Sequence, residues 1–233
     1  AAPPLPAETV HEVLADQLGA DWRDRFAEFN DQPAAAASIG QVHRGVWRDG
    51  RDVAVKVQYP GAAKALASDL KQMVRMGRLF GTAVPGLDMK PLLEELRERV
   101  LEELDYLTES QSQRAFAVAF DDDPDFVIPH VLSAAPNVLV TEWVEGRPLA
   151  DVIAKGTREE RDHAGLLYQR FLLCSPERAR LLHADPHPGN FRIMPDGRLA
   201  VLDFGAVAHL PDGMPRAVGR LMRIAMAGDA DTV

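Results

Sequence analysis

The sequence is poor in cysteine and lysine, and it has no long apolar run. Cys174 is the only cysteine in 233 residues, which excludes an internal disulfide and a cysteine-based zinc cluster and favours a reducing compartment. No apolar stretch approaches the roughly 20 residues that a membrane-spanning helix needs, and the first residues do not resemble a secretory leader. Since only five of the 26 basic residues are lysines, a lysine inside an apolar pattern stands out.

Positive charge is also in deficit, with 35 acidic side chains against 26 basic ones and a formal net charge of −9. Because phosphate backbones attract basic surfaces, nucleic-acid binding is not expected. The excess of arginine over lysine, with abundant alanine, indicates a bacterial origin, and we expect a cytoplasmic location. The chain starts without methionine and stops just after an apolar helical pattern, so we expect a piece of a longer protein, truncated at both ends.

Apolar periodicity and turn residues predict an α+β fold of two lobes joined by a hinge. Residues 1–145 are predicted to be a β-rich N-lobe with a long helix, and residues 146–233 a mainly helical C-lobe. The predicted N-lobe elements are a helix ending at Gly19, strands at 26–30, 42–47 and 51–58, a loop at 31–41, helices at 62–80 and 91–120, and strands at 126–132 and 137–144. The predicted C-lobe elements are helices at 147–154 and 158–173, short strands at 190–195 and 198–204, and a last helix from about Pro215.

The segment HADPHPGN (residues 183–190), followed by LDFG (202–205), is the most informative pattern in the chain. Phosphoryl transfer needs a carboxylate near the attacking group and oxygen ligands that hold Mg²⁺ near the phosphates. Asp185 and Asn190 stand five residues apart, and Asp203 follows an apolar strand. In protein kinases the same D-x-x-x-x-N spacing, with D-F-G downstream, supplies that set of groups.

A metal site built from His183, Asp185 and His187 is the alternative for the same segment. Histidines four residues apart share a face only on a helix, and Pro186 and Pro188 disfavour a helix here. We therefore expect His183 to pack beneath the loop and order its backbone.

Lys56 lies in the middle of the alternating strand VAVKVQ. A solvent-facing position on an edge strand would explain it, but in kinases a third-strand lysine contacts the nucleotide phosphates and pairs with a helix glutamate. Glu103 and Glu109 both fall on the predicted long helix. At 100° per residue they point about 120° apart, so only one of them can face Lys56.

The connection between the first two strands is rich in alanine where a kinase has a glycine-rich phosphate loop. Pro33 is followed by AAAASIGQ. Glycine allows a positive φ and a close approach of backbone N–H groups to phosphate, whereas four alanines do not. This alanine-rich loop (residues 33–41) is expected to be stiffer and to hold a nucleotide differently, unless it is an ordinary connector.

Together these segments resemble the UbiB/AarF family of atypical protein-kinase-like proteins, which carry an ABC1-type kinase-like domain. The resemblance runs from about Phe26 to Ala208 and includes AAAASIGQVHRG, VAVKVQYPG, ELDYLTE (residues 103–109), HADPHPGN and LDFG. It implies that Lys56, paired with Glu109, holds the phosphates and that Asp185 is the catalytic aspartate. It further implies metal ligands (Asn190 and Asp203), an adenine-binding hinge (Glu142–Val144), a nucleotide-contacting alanine-rich loop (Ala35, Ala36, Ala37 and Ser38) and an E-x-D motif (Glu103 and Asp105).

The resemblance implies a Mg-ATP-binding atypical kinase or ATPase that supports isoprenoid-quinone biosynthesis or lipid handling at a membrane surface. The expected ligands are ATP or ADP and Mg²⁺, and the implied partners are a lipid or quinone precursor and a peripheral membrane contact. The family's Lys-x-Gly-Gln segment, which meets the E-x-D motif, is absent from this sequence. Occlusion of the protein-substrate site and restrained activity, which depend on that segment, are therefore not expected from this piece alone.

The phosphoryl acceptor and two other functions stay open. Ala184 stands where regulated kinases have an arginine, and no Ala-Pro-Glu follows Asp203. Switching by loop phosphorylation and ordinary protein-kinase activity are therefore disfavoured, which leaves a small molecule, a lipid or water as acceptor. The alternatives are a small-molecule kinase of the aminoglycoside-phosphotransferase or choline-kinase type, and a nucleotide-sensing scaffold without turnover.

Overall fold

The computed structural model describes residues 4–37, 39–62, 65, 68 and 105–220, and the structural statements below concern these residues. The α+β fold class is confirmed. The helices are α1 (Ala7–Leu18), α2 (Tyr106–Ala119), α3 (Leu149–Lys155) and α4 (Arg158–Ala179), with 3-10 turns at Trp22–Arg25 and Pro188–Asn190. The strands are β1 (Phe26–Ala36), β2 (Gly40–Trp47), β3 (Asp52–Gln58), β4 (Phe126–Val127), β5 (Val131–Ala135), β6 (Val138–Glu142), β7 (Arg147–Pro148), β8 (Leu181–His183), β9 (Phe191–Ile193), β10 (Leu199–Val201) and β11 (Val207–His209).

Contacts divide the chain into two compact units. The first comprises Ala1–Gln113 and Pro129–Val144, and the second Arg114–Ile128 and Glu145–Val233. The predicted lobe boundary at residue 145 agrees with the division between Val144 and Glu145, but residues 114–128, predicted as part of the N-lobe, are grouped with the second unit. The division into two functional lobes stays a prediction.

The first unit is built on a five-stranded antiparallel sheet in the order β1-β2-β3-β6-β5. The alternation in β3 places Val53, Val55 and Val57 on one face, and all three are completely buried. Helix α1 covers this face with Val10, Leu14 and Leu18, which helical spacing places on one side of the helix. As predicted, the helix ends before Gly19, whose φ of +102° a side chain would strain.

The predicted loop at 31–41 is wrong over its first half, because β1 continues to Ala36 and pairs with β2. The pairing keeps Pro33 opposite His43 and Ala36 opposite Gln41, with irregularities between Phe29 and Pro33 and again before Ala35. Small apolar side chains do not compete for backbone hydrogen bonds, so the alanine run follows the edge of β2.

The single strand predicted at 126–132 is also wrong. Phe126–Val127 forms β4 and pairs in parallel with β10 of the second unit, whereas Val131–Ala135 forms β5 of the first sheet. Pro129 separates the two pieces, and a proline has no N–H to continue a strand ladder. The chain therefore changes sheets here.

The second unit has a core of aromatic rings. Phe171, which is completely buried on α4, contacts the rings of Phe116, Phe120, Phe126 and Phe191. Helix α4 starts with a capping box made by Thr157 and Glu160. After α4, strand β8 pairs with β11 and leads directly into the HADPHPGN loop.

Several predicted segments lie outside the described residues: most of the helix at 62–80, residues 91–104 of the long helix, and the last helix beyond residue 220. Residues 216–220 are helical, in agreement with the predicted start near Pro215. Within the described part of the chain, no helix is both long enough and apolar enough to span a membrane.

Candidate functional site

Lys56 projects from the face of the first sheet opposite the α1 core. Since successive side chains of a strand alternate, Ala54 and Lys56 share this face, and Val42 of β2 lies directly opposite Lys56. These side chains are only partly buried, in contrast to the valines between them. Lys56, in the third strand, therefore lies on the less buried face of the sheet.

Glu109 of α2 is the partner of Lys56. Lys56 Nζ lies 2.6 Å from Glu109 Oε1, with the two side chains 12% and 3% exposed. The same ammonium group lies 5.6 Å from the ring centre of Tyr106. The ion pair that the resemblance implied is present, while its role in nucleotide binding stays a prediction.

The first turn of α2 is fixed by its own cap and by the first sheet. Asp105 Oδ1 accepts a hydrogen bond from Leu107 N at 2.9 Å, as an N-cap side chain does. Tyr106 N donates to Pro136 O at 3.2 Å, and Gln113 Nε2 donates to Pro129 O at 2.6 Å. These anchors hold the face that carries Glu109.

Asp105 also corrects the predicted helix at 91–120, because the described helix begins only at Tyr106. The angle of about 120° between Glu103 and Glu109 assumed one continuous helix, so it does not apply. Glu103 itself lies outside the described residues. Of the predicted E-x-D motif, the structure therefore describes only Asp105.

Two of the four predicted nucleotide-contacting residues of the alanine-rich loop lie in strand β1. Ala35 and Ala36 pair with β2, Ala37 N donates to Gly40 O at 2.9 Å, and Ser38 lies outside the described residues. Gly40 packs so tightly that a Cβ there would lie 2.3 Å from Val57 O. Ile39 and Gly40 are thus held against the end of β3.

The predicted hinge, Glu142–Val144, begins at the last residue of β6 within the first unit. The Glu142 carboxylate accepts from His130 N at 3.0 Å and meets His130 Nδ1 at 3.1 Å, with Arg51 at 3.5 Å. Burial acts to raise the pKa of Glu142, but the His130 hydrogen bonds outweigh it and hold the pKa below its usual value. The Glu142 side chain therefore stays ionised and is engaged with His130 and Arg51. The backbone groups of Glu142 and Val144 remain as candidates for binding adenine.

In the second unit, the HADPHPGN loop brings Asp185 and Asn190 together. Asn190 Nδ2 donates to Asp185 Oδ2 at 2.7 Å and to Asp185 O at 3.2 Å. Asn190 N donates to His187 O within the 3-10 turn, and Gly189 N donates to His187 Nδ1. Because the amide nitrogen is engaged with Asp185, Oδ1 is the atom with which Asn190 can bind a cation.

His183 and Asp203 are joined through the backbone. His183 Nε2 donates to Asp203 O at 2.6 Å, and the ring is buried against Phe171, Phe191 and Phe204. Burial lowers the pKa of His183, so the ring is neutral near pH 7. The expected burial of His183 is confirmed, while its hydrogen bond goes to the backbone of Asp203, and its ordering of the HADPHPGN loop stays a prediction. Gly205 N donates to Asp203 Oδ1 at 3.0 Å and orients that carboxylate.

The chemistry of these groups fits magnesium better than zinc. Asn190 and Asp203 offer an amide oxygen and carboxylate oxygens, the hard ligands that Mg²⁺ prefers. His183 already gives Nε2 to a carbonyl, and His187 accepts a hydrogen bond at Nδ1. Among the described residues, no group of three His, Cys, Asp or Glu side chains is placed to hold a metal ion.

Two supporting contacts were not expected from the sequence. In the first unit, Gln41 and His43 are buried and link Leu5 N to Asn30 O through three hydrogen bonds of 2.8 Å. In the second unit, the Tyr168 hydroxyl donates to Pro186 O at 2.6 Å. The strand alternation of GQVHRG could have indicated that His43 is buried. The helical pattern of α4 does not indicate that Tyr168 contacts a loop 18 residues away.

The comparisons with known proteins show the family of this chain. The model of the ABC1 atypical kinase-like domain matches residues 1–233. The chain belongs to the ABC1 atypical kinase-like family. The predicted family is thereby confirmed, and so is the kinase-like α+β fold class.

Named relatives of this ABC1 chain include atypical kinases. The chain is 34% identical over 209 residues to the mitochondrial atypical kinase coq-8 of Caenorhabditis elegans, covering 87% of the chain and 28% of that protein. It is 36% identical over 221 residues to the chloroplastic protein ACTIVITY OF BC1 COMPLEX KINASE 1 of Arabidopsis thaliana, covering 89% of the chain and 32% of that protein. The chain thus spans only about a third of the length of these relatives.

A solved structure is more similar still to this ABC1 chain. Rv3197 of Mycobacterium tuberculosis, solved as a complex with erythromycin, is 51% identical and superposes with a TM-score of 0.90. The match covers 99% of this chain and 59% of that one. The match includes residues of both units, and that protein has further sequence outside the match.

Proposed function

We propose that this chain carries the nucleotide-handling part of a Mg-ATP-dependent atypical kinase or ATPase. The observation that supports this most directly is the buried Lys56–Glu109 ion pair in a member of the ABC1 family. A lysine ammonium held by a glutamate on a neighbouring helix is the arrangement that positions a cation for nucleotide phosphates in kinases.

In this proposal the first unit binds the phosphates and adenine. Lys56 binds the phosphates while Glu109 fixes its direction, and Ala35–Ala37 with Ser38 lie along the phosphates. The carbonyl of Glu142 and the N–H of Val144 bind adenine. Such backbone contacts need a rigid hinge, which the hydrogen bonds between Glu142 and His130 support.

Asp185 accepts the proton of the attacking hydroxyl or water, because its carboxylate is exposed and is oriented by Asn190. Asn190 Oδ1 and the Asp203 carboxylate hold Mg²⁺, whose charge stabilises the phosphoryl group in transfer. His183 keeps the Asp203 backbone in place. The acceptor is a small molecule, a lipid or water.

The proposed role of the whole protein is support of isoprenoid-quinone biosynthesis or lipid handling. A cytoplasmic protein in peripheral contact with a membrane, binding a lipid or quinone precursor, fits this role. Glu103 and Asp105 are proposed to form the E-x-D element. Family membership favours this function over the aminoglycoside-phosphotransferase type of kinase.

Calorimetric titration of the full-length protein with ATP and ADP, with and without Mg²⁺, tests the proposal. We expect binding that Mg²⁺ strengthens. Lys56→Met should weaken it at least about tenfold, since a charge-assisted hydrogen bond is worth about 1.5–3 kcal/mol. Lys155→Met is the matched control, because Lys155 is an exposed lysine paired with Asp151.

Asp203→Asn should remove the effect of Mg²⁺ while nucleotide binding without Mg²⁺ remains. If wild type binds no adenine nucleotide, the proposal is wrong. Turnover is then compared for Asp185→Asn and for Asp162→Asn, an exposed control on α4. Nucleotide binding with no turnover in wild type would favour the nucleotide-sensing scaffold instead.

We propose macrolide binding as a second candidate function. It rests on the 51% identity to Rv3197, whose structure was solved with erythromycin. Titration of the full-length protein with erythromycin, alone and in the presence of saturating ADP, tests it. Binding that ADP does not displace would support a separate macrolide site, and no binding would remove this candidate.

A further inference from the structure

Tyr168 of α4 contacts the HADPHPGN loop from outside it. Its hydroxyl donates a hydrogen bond to Pro186 O at 2.6 Å, and its ring packs edge-on against Phe191 with ring centres 5.1 Å apart. The buried face of α4, with Ala164, Leu167 and Phe171, fixes the helix against the core. Tyr168 therefore reaches the loop from a rigid element.

The loop has few backbone donors of its own at this point. Pro186 and Pro188 have no N–H, so the carbonyl is the only backbone group with which Pro186 can form a hydrogen bond. On either side, Ala184 N is bound to Ala206 O, and Asn190 N is bound to His187 O. Among the described residues, the Tyr168 hydroxyl is the group of another element that forms a hydrogen bond with the backbone of residues 185–187.

Pro186 O belongs to the peptide that follows Pro186, one residue after Asp185. Fixing this carbonyl restricts the backbone rotation at Pro186, whose φ is already locked by its ring. The direction of the Asp185 side chain toward Asn190 depends on that backbone. A displacement of about 1 Å at a reacting group can reduce a rate by about a hundredfold.

The Tyr168 hydroxyl is suited to donate this hydrogen bond continuously. Burial raises the pKa of Tyr168, and the charge of Asp185 raises it further. The hydroxyl therefore keeps its proton near neutral pH and can donate to Pro186 O.

We propose that Tyr168 is a positioning residue that holds Asp185 in its working orientation through the Pro186 carbonyl. This inference rests on the proposed function, in which Asp185 accepts the acceptor's proton. Tyr168→Phe removes only the hydroxyl and keeps the ring that packs on Phe191. Tyr59→Phe is the matched control, a partly buried tyrosine of the first unit.

The test measures kcat and KM for ATP in the full-length protein for both single variants, for Asp185→Asn and for Asp185→Asn combined with Tyr168→Phe. We expect Tyr168→Phe to lower kcat about tenfold or more, with KM for ATP and Tm nearly unchanged and Tyr59→Phe close to wild type. In the Asp185→Asn background, Tyr168→Phe should add little, since the group that it positions is gone.

The outcomes separate the two proposals. If Asp185→Asn lowers kcat but Tyr168→Phe does not, the positioning role is wrong and the proposed function stands. An equal loss from Tyr168→Phe with and without Asp185, or a loss that follows Tm, would also overturn the positioning role. If Asp185→Asn leaves kcat unchanged, the role of Asp185 is wrong, and the inference about Tyr168 is overturned with it.

Discussion

Lys56 Nζ lies 2.6 Å from Glu109 Oε1, and the two residues stand 53 positions apart in the sequence. Both side chains are largely removed from water, at 12% and 3% exposure. Two charges buried in this way depend on each other, because the attraction between them offsets the cost of taking each one out of water. Each partner therefore determines whether the other can stay in place.

Removal of one partner should be costly. We expect Glu109→Ala to lower the free energy of unfolding by about 3–5 kcal/mol, because it removes the carboxylate that lies 2.6 Å from a buried ammonium group. Urea unfolding of the protein measures this. Asp151→Ala, which breaks the exposed pair with Lys155, should cost less than about 1 kcal/mol. Similar losses in the two variants would contradict the buried character of the Lys56–Glu109 pair.

His43 should make the first unit less stable in acid. Its ring is completely buried and stacks on Phe29. Gln41 Oε1 accepts from Leu5 N, so Gln41 Nε2 must donate to His43 Nε2, and His43 Nδ1 then donates to Asn30 O. A proton added at Nε2 would face an N–H donor.

Burial lowers the pKa of His43 below 6.5, although the Asn30 carbonyl and Asp31 partly oppose the shift. The unfolded chain therefore binds the proton first. Stability should be complete above the unfolded pKa and should fall as the pH drops below it toward the folded pKa. Unfolding free energies between about pH 7 and about pH 5 should fall less steeply for His43→Gln than for wild type. His209→Gln, at an exposed site, should keep the wild-type slope, and an unchanged slope in His43→Gln would refute this account.

Asp105 should stabilise α2 as its cap. Loss of an N-cap side chain costs about 1 kcal/mol, so Asp105→Ala should lower the free energy of unfolding by that amount, whereas Asp105→Asn should lose little. Asp162→Ala, within α4 on its exposed side, is the control. Because the cap begins the turn that carries Glu109, nucleotide affinity should fall with Asp105→Ala. An equal loss with Asp105→Asn would mean that its charge, and not the cap, matters.

Substitution of Gly40 should destabilise the protein because there is no room for a side chain, and not because of the φ angle of this residue. A Cβ at Gly40 would lie 2.3 Å from Val57 O and 3.0 Å from Gln58 Cα, and both are backbone atoms. Gly40→Ala should therefore force β2 from β3 and cost about 1–3 kcal/mol in thermal or urea unfolding. At Gly165 of α4 a Cβ meets open space, so Gly165→Ala should stabilise the protein by roughly 0.5–1 kcal/mol. A neutral Gly40→Ala would show that the strands can separate freely.

Local periodicity predicted the elements whose side chains follow one regular pattern. Helix α1 and strand β3 are of this kind, because each has one face buried in the same core. The predictions that were wrong concern residues whose structure depends on the strand with which they pair. Ala34–Ala36 are extended because β2 pairs with them, and Pro129 divides two strands that belong to different sheets. Local preference does not contain that information.

The candidate site follows the same distinction. Asp185, Asn190 and Asp203 were identified because their spacing is itself chemical information, and the resemblance named Glu109 as the partner of Lys56. Asp105 as a helix cap and Tyr168 as a tie to Pro186 were not foreseen. Each is a hydrogen bond between groups whose distance depends on how a helix is placed, which a sequence pattern does not specify.

The sequence by itself determined the fold class, the family and the residue types available for phosphoryl-transfer chemistry, because alternation, spacing and charge are properties of the chain. The tertiary structure decided which of those residues are in contact. Lys56 and Glu109 are brought to 2.6 Å by a strand and a helix that only the folded core holds together. Burial then makes the attraction between these two charges stronger than it would be in water, since the surrounding protein screens charge less than solvent does.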